Sequence, residues 1–263
     1  MPEQTAKSLN HFALFSFSPN YYSLPSSERR ETHKNWLAGL RSAAQNLDVY
    51  QAYPAQAGAD VLVWSALEVE ESCSTATFFS QFAQATNPFR HLLRPVQLLW
   101  GYTKPSQYTK TRSTQEIDPF AQERKPYLVM YPFVKTADWY LMSREARQGM
   151  MNEHIKIGKQ YPEITQLLLY SFGVQDQEFI VVYETADLQQ FSDLVYELRD
   201  SEARRYTLRD APLYTAVHHP PAETCKLNSG KHPRRGIHPP IPLRRNRRKP
   251  RLHNPGSRNL DYR

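Results

Sequence analysis

Cysteine is scarce in this sequence, and no long apolar run is present. Only Cys73 and Cys225 occur among the 263 residues, too few for a disulfide framework or a cysteine-based zinc site. This scarcity favours a reduced, cytoplasmic setting. No apolar run approaches the roughly 18 residues that a membrane-spanning helix needs. The N-terminus also lacks the basic, apolar and small-residue order of a signal peptide, so we predict none.

Positive charge is concentrated at the C-terminus. The net charge is +7, but residues 219–263 alone contain 12 Lys/Arg, two acidic residues and 8 of the 20 prolines. Residues 1–218 carry 21 Lys/Arg and 24 Asp/Glu and are mildly acidic. We therefore predict that 219–263 is a basic, proline-rich, disordered tail. Its run RRNRRKPR at 244–251 could contact phosphates. Nothing else resembles a nucleic-acid module, so we favour a solvated appendage without nucleic-acid binding.

The first 104 residues predict the order βαββαβ, which is typical of a ferredoxin-like unit. The apolar fraction of 40% and the many aromatic residues exclude wholesale disorder. Apolar patterning places strands at 11–17, 47–53, 60–67 and 96–102. Helices are expected at 26–44, with Ser26 or Ser27 as the N-cap, and at 74–89.

Residues 127–218 repeat this order after a polar linker at 105–126. Strands are expected at 127–133, 164–172, 177–184 and 208–215, with Gly173 in the central turn. Ser143 is expected to cap a helix that reaches about residue 161, and Asp187 one that reaches about residue 206. The chain is therefore predicted to be an α+β protein made of two ferredoxin-like halves, with sheets side by side and helices outside.

His154 is the histidine that attracts a functional hypothesis. Ala146, Met150, His154 and Gly158 are spaced by four residues, so they share one face of the predicted helix. The imidazole is thus placed on an apolar stripe. It could be a satisfied core histidine, or it could be an axial ligand to a flat cofactor such as a porphyrin. HxxxH and HExxH motifs are absent, so zinc and di-iron carboxylate sites are not expected.

A second dense stretch, MYPFVKTADWYLM, covers residues 130–142. Tyr131, Lys135, Trp139 and Tyr140 fall where a predicted strand runs into a loop. They could form an aromatic core edge with a solvated lysine. Alternatively, they could place a redox-active phenol near an oxidant and a cation near a carboxylate.

Four segments together resemble the chlorite dismutase family, and more narrowly its haem-synthesising branch, the coproheme decarboxylases. They are YPFVKTADWYLM (131–142), SREARQGMMNEHIKIGKQYPEI (143–164), YSFGVQDQEFIVVYE (170–184) and LVYELRDSEARRYTLRDAPLYT (194–215). The resemblance covers about residues 127–215 and is weaker in the N-terminal half. It implies a dimeric α+β barrel subunit, a homopentamer, and a porphyrin bound in the C-terminal half.

The resemblance also assigns roles to individual residues. It makes His154 the proximal iron ligand. Met151, which flanks the same helix face, is a further candidate haem contact. Glu202 of DSEARRY corresponds to a carboxylate that would orient the proximal imidazole. Trp139 matches a tryptophan of the pocket, and Arg112 of YTKTR is a candidate anchor for a second propionate.

Two residues match the catalytic machinery of the coproheme decarboxylases. Tyr131 corresponds to their catalytic tyrosine, which is proposed to become a radical. Lys135 corresponds to a basic residue beside the propionate that reacts. No histidine stands between Tyr102 and Tyr131 to act as a distal base. That base could be Lys135, Arg112 through a water molecule, or peroxide itself.

The distal position separates the branches of the family. True chlorite dismutases carry an arginine there, which can stabilise an oxyanion. This chain places Gln166 at that position, or Leu167 if the alignment shifts by one residue. No Arg or Lys occurs between residues 160 and 184. Chlorite chemistry is therefore disfavoured, and Gln is a residue that the decarboxylase branch uses.

The resemblance implies hydrogen-peroxide-dependent decarboxylation of iron coproporphyrin III to haem b, so that the substrate is also the redox centre. Expected partners are the porphyrin, peroxide, further copies of the chain and, transiently, ferrochelatase. Three alternatives stay open. They are a chlorite dismutase-like haem enzyme, a haem-binding carrier or sensor without turnover, and a ferredoxin-like barrel that binds another small molecule.

Overall fold

The structure is a computed structural model that describes residues 7–109 and 113–219. In the N-terminal half the elements are β1 (Ser8–Phe17), α1 (Pro19–Ser23), α2 (Ser26–Ala43), β2 (Asn46–Gln51), β3 (Val61–Glu68), α3 (Ser74–Thr86), a 3-10 turn (Asn87–Phe89) and β4 (Leu93–Tyr102).

The C-terminal half has a similar order of elements. They are β5 (Tyr127–Lys135), α4 (Ala137–Leu141), α5 (Arg144–Gly158), β6 (Thr165–Tyr170), β7 (Phe179–Thr185), α6 (Leu188–Arg199), a 3-10 segment (Glu202–Tyr206), β8 (Thr207–Arg209) and β9 (Tyr214–His218). In both halves a five-residue helix, α1 or α4, precedes the main helix after the first strand. Neither short helix was predicted from the sequence.

Eight strands close into an antiparallel barrel. Their order is β7-β6-β4-β1-β3-β2-β9-β5, and β5 pairs again with β7 to complete the ring. The short β8 is added to the outer end of β5. The two halves therefore meet at two seams, β4 with β6 and β2 with β9. The predicted fold, an α+β barrel made of two ferredoxin-like halves, is confirmed.

Gly101 permits the close approach at the seam between β4 and β6. A Cβ atom at this position would lie 2.7 Å from Ser171 Oγ and 2.9 Å from the Tyr170 carbonyl oxygen. These separations are too short for a side chain. The Ser171 hydroxyl donates a hydrogen bond of 2.7 Å to the Trp100 carbonyl oxygen, which fastens the same seam.

Every strand of the ring contributes apolar side chains to the barrel interior, because alternate residues of a strand face opposite sides of the sheet. The buried residues of this core include Phe12, Leu14, Tyr50, Leu62, Trp64, Leu99, Leu128, Met130, Leu167, Leu169, Ile180, Val182 and Ala216. The intervening residues of each strand face outward towards the helices. Functional side chains on the strands must therefore lie at these intervening positions if the helices are to reach them.

Three predicted boundaries are wrong. Helix α2 takes Pro25 as its N-cap, without a side-chain capping bond from Ser26 or Ser27. The helix that begins after Asp187 ends at Arg199, where the Ser201 hydroxyl donates to the Leu198 carbonyl oxygen. The closing strand is Tyr214–His218 and not 208–215, because only β9 can bridge β2 and β5 and complete the ring.

The stretch between the halves packs against both of them. Ile117 is buried in the barrel core, and its N–H donates to the Gln166 carbonyl oxygen at 3.0 Å. The Arg124 guanidinium is buried, lies 2.7 Å from the Asp48 carboxylate and stacks 4.4 Å from the centre of the Trp64 ring. The division into halves, linker and tail stays a prediction, and the tail beyond residue 219 lies outside the described residues. Within 7–109 and 113–219, no helix has the length and apolarity needed to cross a membrane.

Candidate functional site

The candidate site lies on the outer face of the C-terminal sheet, where helix α5 crosses it. Val129, Tyr131 and Phe133 of β5 belong to an apolar cluster outside the barrel, opposite in direction to Leu128 and Met130. On the helix side, none of the residues of α5 is fully buried, although the helix carries an apolar stripe. The helix therefore shields this face of the sheet incompletely.

Local sequence determines where α5 begins and ends. The Ser143 side chain caps the helix by accepting a hydrogen bond of 3.2 Å from the Ala146 N–H, as predicted. Glu145 in the first turn and Lys156 in the last complement the helix dipole. One turn beyond His154, a Cβ atom at Gly158 would have no neighbour within 4 Å. The helix thus holds the imidazole next to an open position.

His154 presents a neutral imidazole that is half-buried. Its Nδ1 atom is buried and has no hydrogen-bond partner among the described residues. Burial, reinforced by the nearby Lys135 ammonium and opposed by Glu153, lowers the pKa of His154 to about 4. The ring is therefore unprotonated at neutral pH. An unprotonated imidazole is the form that binds iron.

The carboxylate expected behind this imidazole faces elsewhere. Glu202 is 48% exposed and pairs with Arg205 at 3.1 Å. Its own N–H donates at 3.1 Å to a carboxylate oxygen of Glu153. In the part of the chain that the structure describes, Glu202 therefore does not orient His154, and Glu153 is the carboxylate that influences the imidazole.

Tyr131 forms a pair with Tyr183 on the neighbouring strand β7. The two rings are stacked with centroids 6.2 Å apart. Burial raises the pKa of the Tyr131 phenol, and the neighbouring Tyr183 hydroxyl opposes that rise. Burial likewise raises the pKa of Tyr183 well above its usual value. Both phenols therefore retain their protons at neutral pH.

Lys135 is held at the end of β5 by several contacts. Its Nζ atom lies 3.2 Å from Thr207 Oγ1 and 3.3 Å from the Ala203 carbonyl oxygen. The same atom lies 4.5 Å above the ring of Trp139. Burial, followed by repulsion from Arg204, lowers the pKa of Lys135 to about 8. The ammonium is thus mostly protonated at neutral pH but poorly solvated.

Trp139 and Glu178 complete the surroundings of Lys135. Trp139 is buried on α4 and packs against Tyr206 with ring centroids 6.0 Å apart. One carboxylate oxygen of Glu178 accepts hydrogen bonds from the backbone N–H of Lys135 at 2.8 Å and from the Tyr140 hydroxyl at 2.5 Å. This carboxylate therefore anchors both ends of the segment that carries Trp139.

The structure separates the two candidates for the distal position. Leu167 is buried in the barrel interior. Gln166 is exposed and pairs directly with Tyr183 across β6 and β7, so it shares the outer face with the Tyr131–Tyr183 pair. Of the two residues, only Gln166 can point towards a ligand on this face.

The remaining predicted contacts have separate outcomes. Met151 is half-buried on α5, one turn before His154. Arg112 lies outside the described residues. Within 7–109 and 113–219, no group of three or more His, Cys, Asp or Glu side chains could hold a metal ion.

Sequence reasoning missed four residues of this site: Tyr183, Glu178, Ala203 and Thr207. Tyr183 occupies an outward position of a predicted strand, and that alternation was a usable signal. The others contact Lys135 from distant segments, and no local pattern indicates such contacts.

Comparisons with known proteins identify the relatives of this chain. A family model described as chlorite dismutase matches residues 28–219. A coproheme decarboxylase from Mycolicibacterium smegmatis is 28% identical over 169 residues, or 64% of this chain and 70% of that protein. One from Staphylococcus saprophyticus is 29% identical over 160 residues, or 56% of this chain and 64% of that protein.

A solved structure has the same fold. A mutant chlorite dismutase from Candidatus Nitrospira defluvii superposes with a TM-score of 0.70 and 23% identity, over 83% of this chain and 94% of that one. The family model covers well over half of the chain. These findings indicate a haem-related enzyme, and the chain belongs to the chlorite dismutase family.

Proposed function

We propose that this protein is a coproheme decarboxylase, which converts two propionates of iron coproporphyrin III to vinyl groups at the expense of hydrogen peroxide and yields haem b. The single observation that carries the proposal is the neutral His154 imidazole on an incompletely buried helix. Its Nδ1 atom has no hydrogen-bond partner among the described residues, and Tyr131 and Lys135 lie on the sheet that the helix crosses.

The residues present fit an iron porphyrin. His154 would bind the iron, while Met151 and the partly exposed apolar face of α5 would contact the flat macrocycle. Trp139 and Gln166 would line the pocket, and Arg112 would anchor a second propionate. When bound, the iron porphyrin together with peroxide supplies the oxidising power.

The overall reaction balances with one peroxide per propionate. The propionate carboxylate leaves as carbon dioxide, the adjoining chain also loses one proton and two electrons, and a vinyl group remains. Hydrogen peroxide accepts the two electrons and, with the released proton and one further proton, becomes two water molecules. Two such rounds give haem b.

Tyr131 would transfer the oxidising equivalent between the macrocycle and the propionate. A phenol can do this only while it holds its hydrogen, and burial keeps the Tyr131 pKa above its usual value. The stacked Tyr183 ring would help to hold the Tyr131 phenol in place.

Lys135 would hold the carboxylate that reacts. Its ammonium is already positioned by Thr207, Ala203 and Trp139, so little side-chain freedom would be lost on binding. Charge-assisted hydrogen bonds to a carboxylate are the strong class. A bound propionate would also raise the pKa of Lys135 and keep it protonated through the reaction.

Gln166 at the distal position supports decarboxylation over chlorite breakdown. An amide side chain can hydrogen-bond peroxide, but it lacks the positive charge that stabilises an oxyanion. Oxygen release from chlorite should accordingly stay near background.

A haem-binding role without turnover is the second candidate. It is favoured by the absence, among the described residues, of a hydrogen-bonded carboxylate behind His154, since such a partner makes the imidazole a stronger donor.

One experiment separates these functions. Purified protein is incubated with iron coproporphyrin III and titrated with peroxide, and the porphyrin is analysed by mass spectrometry. We expect the stepwise loss of two carboxyl groups and the appearance of haem b. Bleaching of the porphyrin without vinyl product would instead support a carrier, and the absence of a Soret band would exclude both.

A further inference from the structure

A carboxylate from a distant part of the chain holds the short helix α4 in place. Glu178 lies directly before β7, and a single oxygen of its side chain accepts both the Lys135 backbone N–H and the Tyr140 hydroxyl. These two donors lie on either side of Trp139, so one oxygen atom ties together the two ends of the segment 135–140. The two hydrogen bonds form the Glu178 clamp.

Helix α4 needs external contacts of this kind, because little in its own sequence stabilises it. It has five residues, and isolated helices shorter than roughly 12–15 residues are marginal in water. Its N-cap residue, Thr136, makes no side-chain capping bond. In the corresponding helix α1, by contrast, Ser18 is the N-cap and accepts a hydrogen bond of 3.4 Å from the Tyr21 N–H. The Glu178 clamp therefore gives α4 a restraint that α1 obtains from its own cap.

Two groups of the proposed site belong to the clamped segment. The clamp fixes the backbone at Lys135, and Trp139 directly precedes the clamped Tyr140. Because the Lys135 ammonium lies 4.5 Å above the Trp139 ring, a displacement of the segment would move both groups. Glu178 bonds to the backbone of Lys135, whereas the ammonium contacts Thr207 and a carbonyl oxygen. The carboxylate thus restrains the segment and leaves the ammonium available to a propionate.

We infer that Glu178 is a positioning residue, whose clamp holds Lys135 and Trp139 at the propionate that reacts; this inference rests on the proposed function. Positioning matters because a displacement of about 1 Å can lower a reaction rate by roughly 100-fold. Lys135 would act on one propionate, whereas the macrocycle would be bound mainly through its iron and its flat face. Loss of the clamp should therefore slow decarboxylation more than it weakens coproheme binding.

The test uses three substitutions in the full chain, with product formation measured by mass spectrometry. Glu178→Leu removes both hydrogen bonds and should lower kcat by about tenfold or more, while KM for coproheme changes little. Tyr140→Phe removes one bond and should give a smaller loss. Glu178→Gln keeps an oxygen that can accept both bonds, so it should restore most of the rate. Asp176→Leu, at an exposed position two residues before Glu178, is the matched control and should behave like the wild type.

A second measurement needs neither porphyrin nor turnover. Hydrogen exchange of the backbone amides in 135–142 should be faster in Glu178→Leu and Tyr140→Phe than in the wild type, and unchanged in Asp176→Leu. Tyr140→Phe keeps the test valid if Glu178→Leu does not fold, because Tyr140 is 38% exposed and loses only its hydroxyl.

The outcomes separate this inference from the proposed function. Unchanged exchange in both variants would overturn the clamp, whether or not the wild-type protein turns over. A normal kcat in both variants, or a Glu178→Gln variant as slow as Glu178→Leu, would overturn the positioning role while the proposed function stands. A wild-type protein that forms no haem b would refute the proposed function and with it the positioning role, and the exchange data would still decide whether the clamp exists.

Discussion

The main helices of the two halves, α2 and α5, occupy the same place in the βαββαβ order but cover their sheets differently. Helix α2 buries His33, Trp36, Leu37, Leu40 and Ala43. Helix α5 buries no residue fully. The N-terminal half thus uses its helix to complete a hydrophobic core. The C-terminal half leaves the apolar face of its helix only partly buried and forgoes the stability that full burial would add. Such a face suits the ligand-binding role proposed above.

The largest effect is expected when the imidazole on α5 is removed. In His154→Ala, the spectrum of a histidine-bound iron porphyrin should vanish, and coproheme affinity should fall by at least about tenfold, the scale seen when a metal-ligand set is weakened. Absorption spectroscopy during coproheme titration measures both. His91→Ala, at an exposed loop position, is the control and should bind normally. An unchanged spectrum in His154→Ala would mean that another residue binds the iron.

A second test concerns the role of Tyr131 on the sheet beneath α5. Tyr131→Phe should still bind coproheme, because the ring remains, but decarboxylation should fall by roughly 100-fold or more, the scale of losing a group that moves a hydrogen in the reaction. Tyr183→Phe removes only the hydroxyl that bonds to Tyr131 and should cause a smaller loss. Product analysis after peroxide addition distinguishes them. Normal turnover in Tyr131→Phe would exclude the transfer role.

Substitutions in the core beneath α2, in the N-terminal half, should lower stability and leave coproheme binding unchanged. Trp36 of α2 is fully buried, so Trp36→Ala should lower the free energy of unfolding by about 3–5 kcal/mol. Met151→Ala on the half-buried face of α5 should cost much less. Urea unfolding of the protein without porphyrin measures both changes. Equal losses would show that the two helices are packed alike.

The pH dependence of stability should also differ between the halves. The folded-state pKa values of His11 and His154 are lowered to about 3 and about 4, so the unfolded chain binds more protons below pH 6.5. The contribution of these two histidines to the free energy of unfolding should therefore be fully present above pH 6.5 and decrease as pH falls. The loss should reach up to about 1.4 kcal/mol per pH unit for the buried His11. His11→Phe should flatten this acid limb more than His154→Ala, as measured by urea unfolding at several pH values.

The smallest changes in stability and coproheme binding are expected for two glycines on opposite faces of α5. A Cβ at Gly149 or Gly158 meets no atom within 4 Å. Each change to Ala should stabilise the protein without porphyrin by about 0.5–1 kcal/mol, because glycine is costly within helices. Gly158→Ala should additionally weaken coproheme binding, since Gly158 lies on the face of His154. Identical coproheme titrations of the two variants would place the ligand away from this face.

Much of the architecture could be predicted from local patterns. Alternation in residues 127–133 placed Tyr131 on one face of a strand, and the spacing of four around His154 placed the imidazole on the apolar face of a helix. Ser143 and Asp187 cap their helices as expected. These features depend on residues close in sequence, so period and capping chemistry are sufficient to indicate them.

The neighbours of the site could not be predicted in the same way. Glu178 reaches the Lys135 backbone from 43 residues away, and Thr207 reaches the Lys135 ammonium from 72 residues away. The sequence offers no register for these contacts. For the same reason Glu202, which the resemblance placed behind His154, faces Arg205 in the structure.

By itself, the sequence determined the order of the main elements, the faces on which Tyr131 and His154 lie, and the resemblance that identifies the family. Only the tertiary structure decided that Tyr214–His218 closes the barrel, that Gln166 and not Leu167 faces outward, and that Tyr183 stacks on Tyr131. Periodicity is a local property of the backbone. The pairing of distant strands, in contrast, depends on how the whole ring closes, and it sets which side chains meet.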